Sequence, residues 1–218
     1  MEVQVATGRY SQEDLNRINK AIIAAESKTT GEIVPVIVGQ SDFYPAAHFR
    51  LSLLGAFLAI FINYQLNHDG DNLNYLFLFI LGSLIGFFCG HIAILKKLFS
   101  LKDELEEETR QRAIESFLLN GITDTKERNG VQLFISILEH KAMINVDKGL
   151  QERLGQHAQE KWQSVLNKLL GQFKKGNEVE GICQAISDMG EVLAEHYPSP
   201  HKNAELSDEL PNKLIIDL

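Results

Sequence analysis

Leu73-Asn-Tyr-Leu-Phe-Leu-Phe-Ile-Leu-Gly-Ser-Leu-Ile-Gly-Phe-Phe-Cys-Gly-His-Ile-Ala-Ile-Leu95 carries no Asp, Glu, Lys or Arg and is apolar on every helical face. A helix that crosses a bilayer needs ~20 such residues. A chain of 218 residues offers little core in which to hide a helix this greasy, so the run is read as a membrane span. Leu51 to Leu66 is shorter and is interrupted near its end by Asn63 and Gln65. Arg50 is placed to snorkel, which lets Ala46 to Phe49 join this second span. The expectation is a transmembrane helical hairpin over residues 46–97, with spans at about 47–66 and 73–95.

Loop charge orients the hairpin. The link Asn67 to Asn72 has no Lys or Arg, whereas Arg50, Lys96, Lys97 and Lys102 flank the other ends. The positive-inside rule then puts the link outside and both termini in the cytoplasm, as an integral plasma (inner) membrane protein whose first partner is the lipid bilayer. Asp69-Gly70-Asp71 lacks the later acids of a calcium-binding EF-hand loop and reads as a polar turn. The first ten residues lack the apolar stretch of a signal peptide.

Outside the hairpin the pattern is that of an α/β domain in two parts, 11–43 and 101–198, with a flexible tail over 199–218. Ser11-Gln-Glu-Asp14 starts a helix, which Leu15, Ile18, Ile22 and Ala25 continue as one stripe. Ile33 to Val38 is a strand, and Pro35 within it predicts an edge position or a bulge. Asp103 to Asn120 is a charged helix with apolar Leu105, Ile114, Phe117 and Leu118, and Glu104 to Glu108 reads as a solvated face. Val131 to Leu138 and Ala142 to Val146 form a hairpin joined at Glu139-His140. Leu150, Leu154, Ala158, Trp162, Val165 and Leu169 mark one long helix, with Trp162 as a core anchor. Val179, Ile182, Ile186, Met189 and Leu193 mark the last. The tail's end, Leu214 to Leu218, has the look of a docking motif. Strands before and after the hairpin require an even number of crossings if they share one sheet. The predicted fold is thus a small mixed sheet flanked by helices, its first two strands parallel and its third antiparallel, interrupted by a two-helix membrane insert.

Composition excludes several classes. A formal charge of -8, without basic stretches interleaved with aromatics, argues against nucleic acid as a partner. Cys89 lies in the apolar run and Cys183 in an amphipathic helix, so no disulfide scaffold is expected. Mean hydropathy of -0.09 averages a greasy middle and two polar ends.

Glu26-Ser-Lys-Thr-Thr-Gly-Glu-Ile33, Thr125-Lys-Glu-Arg-Asn-Gly-Val-Gln-Leu-Phe-Ile-Ser136 and Asn145-Val-Asp-Lys-Gly-Leu150 resemble the signature segments of TPM domains. Trp162, Phe173, Gly176, Gly181 and His196-Tyr-Pro198 fall where that family has them. The resemblance implies a Rossmann-like domain found near membranes. The family includes a thylakoid protein linked to photosystem repair and acid phosphatase activity, and some of its members bind divalent metal. This chain differs in having the hairpin inserted after its first strand.

No Asp-x-Asp pair, Gly-x-Ser-x-Gly elbow, His-Glu-x-x-His or phosphate-binding Gly-rich loop is present. The expected strand directions bring Glu32, Glu127 and Asp147 toward one sheet end, and Asp42, Glu139 and His140 toward the other. Either trio offers oxygens to a hard cation, Ca2+ or Mg2+. Gly31, Arg128, Asn129 and Gly130 are expected to be structural: Arg128 clamping Asp147, and Asn129-Gly130 forming a turn with Gly130 at positive φ. His91 is expected to pack within the second span. Two functions compete: a membrane-tethered module that binds a membrane protein or complex, and a metal-dependent phosphomonoesterase.

Overall fold

In the computed structural model, residues 9–66, 71–154, 157–198 and 210–217 are described. The chain divides into two compact units: Ser41–Glu108 is one, and the chain before and after it forms the other.

The α/β unit begins with α1, Gln12–Glu26, whose capping box is Ser11 with Asp14 and whose buried stripe is Ile18, Ile22 and Ala25. Strand β1, Glu32–Val38, runs parallel to β2, Gly130–Ser136, in a seven-residue register from Glu32↔Gly130 to Val38↔Ser136. β3, Lys141–Val146, returns antiparallel to β2. The expected mixed α/β sheet flanked by helices is therefore present, with one strand more than anticipated. Ile215–Asp217, placed by sequence in a flexible tail, forms β4 parallel to β1, and the order is β3-β2-β1-β4. The apolar tail end docks on its own sheet; residues 199–209 lie outside the described residues.

β1 is accordingly an inner strand, contrary to the expectation from Pro35. Glu32 donates its N–H to Asn129 on the β2 side, and Gly39 donates to Asp217 on the β4 side. Alternation then turns the Pro35 nitrogen toward β4, whose pairing starts only at Val36↔Ile215. The missing donor costs no ladder bond there.

Both sheet faces are covered, which is why β1 and β2 read as nearly continuous apolar runs. Ile33, Ile37, Val131, Leu133 and Ile135 pack with residues of α1, of α7, His157–Lys174, and of α8, Glu178–His196. Val34, Val36, Val38 and Phe134 pack with Ala113 and Phe117 of α5, Lys102–Leu119. Ile114 and Leu118, two of the apolar residues of this helix, are 42% and 58% exposed. The small residues Ala113 and Ser116 take the buried face and let the helix approach. The predicted long helix after β3 is two, α6 at Lys148–Leu154 and α7. Trp162 is buried, as expected of an anchor. The β2–β3 turn spans 137–140 rather than two residues, with His140 left-handed at φ 55 and its N–H bonded to Ile137. That residue supplies the positive φ that Glu-His cannot supply as a two-residue turn.

The second unit holds α2, Pro45–Leu66, and α3, Asn72–Cys89, which pack side by side. The second apolar run is not one helix to Leu95. It ends at Cys89, turns through Gly90–Ile92, and resumes as α4, Ala93–Phe99. His91 lies in that turn, 4.8 Å from the His48 ring, rather than inside a span. Residues 67–70 of the link, including Asp69-Gly70, lie outside the described residues. Arg50 is partly exposed but paired: its guanidinium donates to the Phe99 carbonyl at 2.7 Å and to both Glu104 oxygens at 2.9 and 2.5 Å. Glu104 is thus a fixed partner, not part of a solvated run.

Candidate functional site

The start of β1, the start of β2 and the end of β3 meet at one end of the sheet, as the strand directions require. Three connections converge there and are tied by hydrogen bonds. Thr29 donates its hydroxyl to the Tyr197 carbonyl at 2.7 Å and accepts from Gly31 N–H at 3.0 Å. Thr30 N–H donates to the same carbonyl at 3.0 Å. Asn129, 4% exposed, donates its amide to Thr30 O and receives no turn φ of its own. Its backbone N–H bonds to Thr125 Oγ1 at 3.2 Å.

The positive φ expected at Gly130 falls two residues earlier, at Arg128, with φ 50. Gly130 is the first residue of β2, and a Cβ there would overlap the Ile122 carbonyl. Glycine is needed for close approach, not for handedness. Left-handed backbone at a non-glycine residue is costly and is held here by its neighbours. Arg128 N–H bonds to Thr125 O at 3.1 Å, and its Cβ lies 2.8 Å from where a Gly149 side chain would begin. No Arg128–Asp147 clamp forms among the described residues.

Asp147 is 5% exposed and precedes α6, accepting Gln151 N–H on its carbonyl at 2.9 Å. Its own N–H returns to Gly130 O at 3.0 Å, so it closes the sheet end. Its Oδ2 makes no hydrogen bond to a described residue. Glu127 is exposed and accepts from the Thr30 hydroxyl at 3.3 Å. Tyr197 lies beside both acids: it donates to Gly149 O at 3.2 Å, and the Arg153 guanidinium sits 4.8 Å above its ring. Burial first, and the charges of Glu127 and Asp147 after it, push the Tyr197 phenol up, while Arg153 opposes them.

The expected metal set does not assemble as three ligands. Glu32, Glu127 and Asp147 share one end of the sheet, but among the described residues no three His, Cys, Asp or Glu side chains converge to hold a metal ion. The buried Asp147 oxygen suits a cation, and a hard cation needs more oxygens than that. The second trio divides as well. Asp42 belongs to the hairpin unit, where it accepts Tyr44 N–H at 3.0 Å. Glu139 is buried in the β2–β3 turn, bonded to Ser136, and His140 is exposed. Of the other four, Gly31 donates to Thr29, Asn129 to Thr30, and Arg128 to Thr125, while Gly130 opens β2. Sequence reasoning passed over Tyr197 and Arg153, for which the closing His196-Tyr-Pro198 segment was the available signal.

Cys183 lies mid-way along α8, and burial pushes its thiol up, away from thiolate at neutral pH.

Residues 92–192 match the TPM domain family model. That stretch holds β2, β3 and α5 to most of α8, but not α1 or β1. The NMR structure of BA42 protein from the psychrophilic bacterium Bizionia argentinensis superposes with a TM-score of 0.58, covering 95% of each chain at 20% identity. At that identity the likeness is one of fold. No curated protein matches the chain.

Proposed function

We propose that this TPM-domain chain is an integral membrane protein in which α2 and α3 form a bilayer-embedded hairpin, and that its α/β unit acts on the cytoplasmic face by binding a membrane protein or complex. One observation carries the membrane reading: the hairpin is greasy outside and small inside. Phe57, Phe61, Phe77 and Phe88 are 66%, 60%, 61% and 66% exposed. Gly82, Gly86 and Ala56 are buried between the helices. A core helix of a soluble protein is mostly buried, whereas only 22% and 11% of the most apolar windows of α2 and α3 are. Large apolar patches in water are unfavourable; small residues at the contact and bulky ones at the lipid are how membrane helices pack. At 22 and 18 residues the helices are about 33 and 27 Å long, close to the hydrocarbon thickness.

The pairing of β1 with β2 supports two crossings, because the strands on either side of the hairpin share one sheet. Basic Arg50, Lys96, Lys97 and Lys102 favour the cytoplasm for that side. The sheet-end geometry supports binding rather than turnover: a hydrogen-bonded framework surrounds two acids, and among the described residues no nucleophile with its base stands beside them. A metal-dependent phosphomonoesterase is the second reading, favoured by the buried Asp147 oxygen.

The test has two arms. Alkaline carbonate should leave the chain in the membrane pellet; release into the supernatant contradicts the anchor. The purified full chain is then assayed on an aryl phosphate with Mg2+, Ca2+, Mn2+ or Zn2+ from acid to neutral pH. Background activity is expected; turnover abolished by Asp147→Asn in a folded protein would replace binding with catalysis.

A further inference from the structure

The short helix after the hairpin has its polarity turned inside out. In α4 the charged residue Lys96 is buried, at 8% exposure, while Ile94 and Leu98 are 78% and 72% exposed. Ile94 and Leu98 lie four apart and form one apolar stripe. Ile92 before the helix and Leu101 after it are also more than half exposed. Water would favour the opposite arrangement.

Specific contacts hold α4 with this stripe outward. Ile92 is extended, at φ -77 and ψ 115, and breaks the helical path from α3. The turn packs on α2 through Gly90, where a Cβ would overlap the His48 ring, and His48 Nδ1 lies 3.1 Å from the Phe87 carbonyl. At the other end Arg50 of α2 bonds the Phe99 carbonyl, and Ser100 caps Lys96 O with its hydroxyl at 2.9 Å. The side facing the protein is thus fixed, and the stripe that remains is apolar.

We infer that α4 is an interfacial helix, lying at the headgroup–acyl boundary of the cytoplasmic leaflet with Ile94 and Leu98 toward the lipid; this builds on the hairpin reading above. Seven residues span about 10 Å, far too short to cross the hydrocarbon. The exposed apolar surface is continuous in sequence with that of α3, through Phe88 and Ile92. Exposed Lys102 follows the stripe, and a basic side chain with an apolar stem suits the phosphate level of a bilayer. The occupant of this face is the bilayer itself.

Depth-resolved quenching tests it. The full chain, free of its own cysteines through Cys89→Ser and Cys183→Ser, receives one label at Ile94→Cys, Leu98→Cys, Phe57→Cys or Ser164→Cys. Each carries an environment-sensitive fluorophore in phospholipid nanodiscs with bromines placed either shallow or deep on the acyl chains. The expected result is blue-shifted emission at 94 and 98, lost mainly to the shallow bromines. Position 57 should lose its emission to the deep ones, and position 164 to neither. If 94 and 98 behave like 164 while 57 is quenched deep, α4 stands clear of the bilayer and the inference fails with the hairpin intact. If 94 and 98 are quenched deep, α4 is embedded and the interfacial placement fails. An unquenched 57 overturns the hairpin reading and this inference with it.

Discussion

Gly55 of α2 and Gly82 of α3 face each other so closely that neither position has room for a side chain: a Cβ on either would overlap the other's carbonyl oxygen. A Cβ at Gly82 would also lie 2.8 Å from the Ala59 methyl. In the proposed bilayer setting, where helices have no hydrophobic drive to associate, contact of this kind would supply the packing. Gly82→Leu should therefore separate the helices and cost about 1–3 kcal/mol of hairpin stability. Gly82→Ala should cost less, and Leu84→Ala, at an exposed site, little. Thermal unfolding in micelles, with disulfide cross-linking between the helices, reads the order.

The Arg50–Glu104 pair gives the second unit an acid limb. The Arg50 hydrogen bonds, then the Leu101 N–H, hold the Glu104 carboxyl down from 4.5 to about 2. A carboxyl lowered in the folded state stabilises above its unfolded pKa, and that contribution is lost as pH falls from 4.5 through about 2. Unfolding temperature in micelles should drop across that window in the parent. Glu104→Gln should be less stable at neutral pH and show a shallower drop.

Tyr10 provides an alkaline counterpart in the α/β unit. It is buried and donates to Glu178 at 3.0 Å, beside an Arg9 that bonds both Glu178 oxygens. Burial first, then the Glu178 charge, push its phenol up to about 12. A phenol raised above its ordinary 10.0 stabilises below that pH, and the contribution is lost as pH rises through about 12. Ultraviolet titration should find this tyrosine ionising late, and Tyr10→Phe should remove that step. The lost hydrogen bond to a charged group should cost about 1.5–3 kcal/mol.

The α/β unit should fold without the insert, because the β1–β2 register and both sheet faces are made outside Ser41–Glu108. Replacing residues 44–100 by a short Gly/Ser linker should give a soluble monomer that unfolds cooperatively in urea. A molten product would mean that the spans help build the core.

Much of this architecture was legible because it is written locally. The Ser11 capping box, the parallel β-branched strands and the uncharged apolar run each announce themselves within a few residues. What escaped the sequence depends on distant neighbours. β4 is three residues long, too short for a period, and exists because β1 has an open flank from Val36 onward. The buried side of α5 sets the small Ala113 and Ser116 beside Phe117, so its period is weak in the sequence, while the apolar Ile114 and Leu118 are exposed. The break at Gly90–Ile92 lies within an unbroken apolar string, where hydropathy cannot mark a turn. At the sheet end the order of acids was readable but not their convergence, since side-chain distance is set by the Thr29–Tyr197 and Asn129–Thr30 bonds across the fold.

Whether the hairpin crosses the bilayer is decided by sided labelling. Single cysteines at Asn72 and at Lys102, in the full chain lacking Cys89 and Cys183, are exposed to a membrane-impermeant maleimide in sealed vesicles of both orientations. Asn72→Cys should react only in right-side-out vesicles and Lys102→Cys only in inside-out ones. Reaction of both from the same side would contradict the crossing.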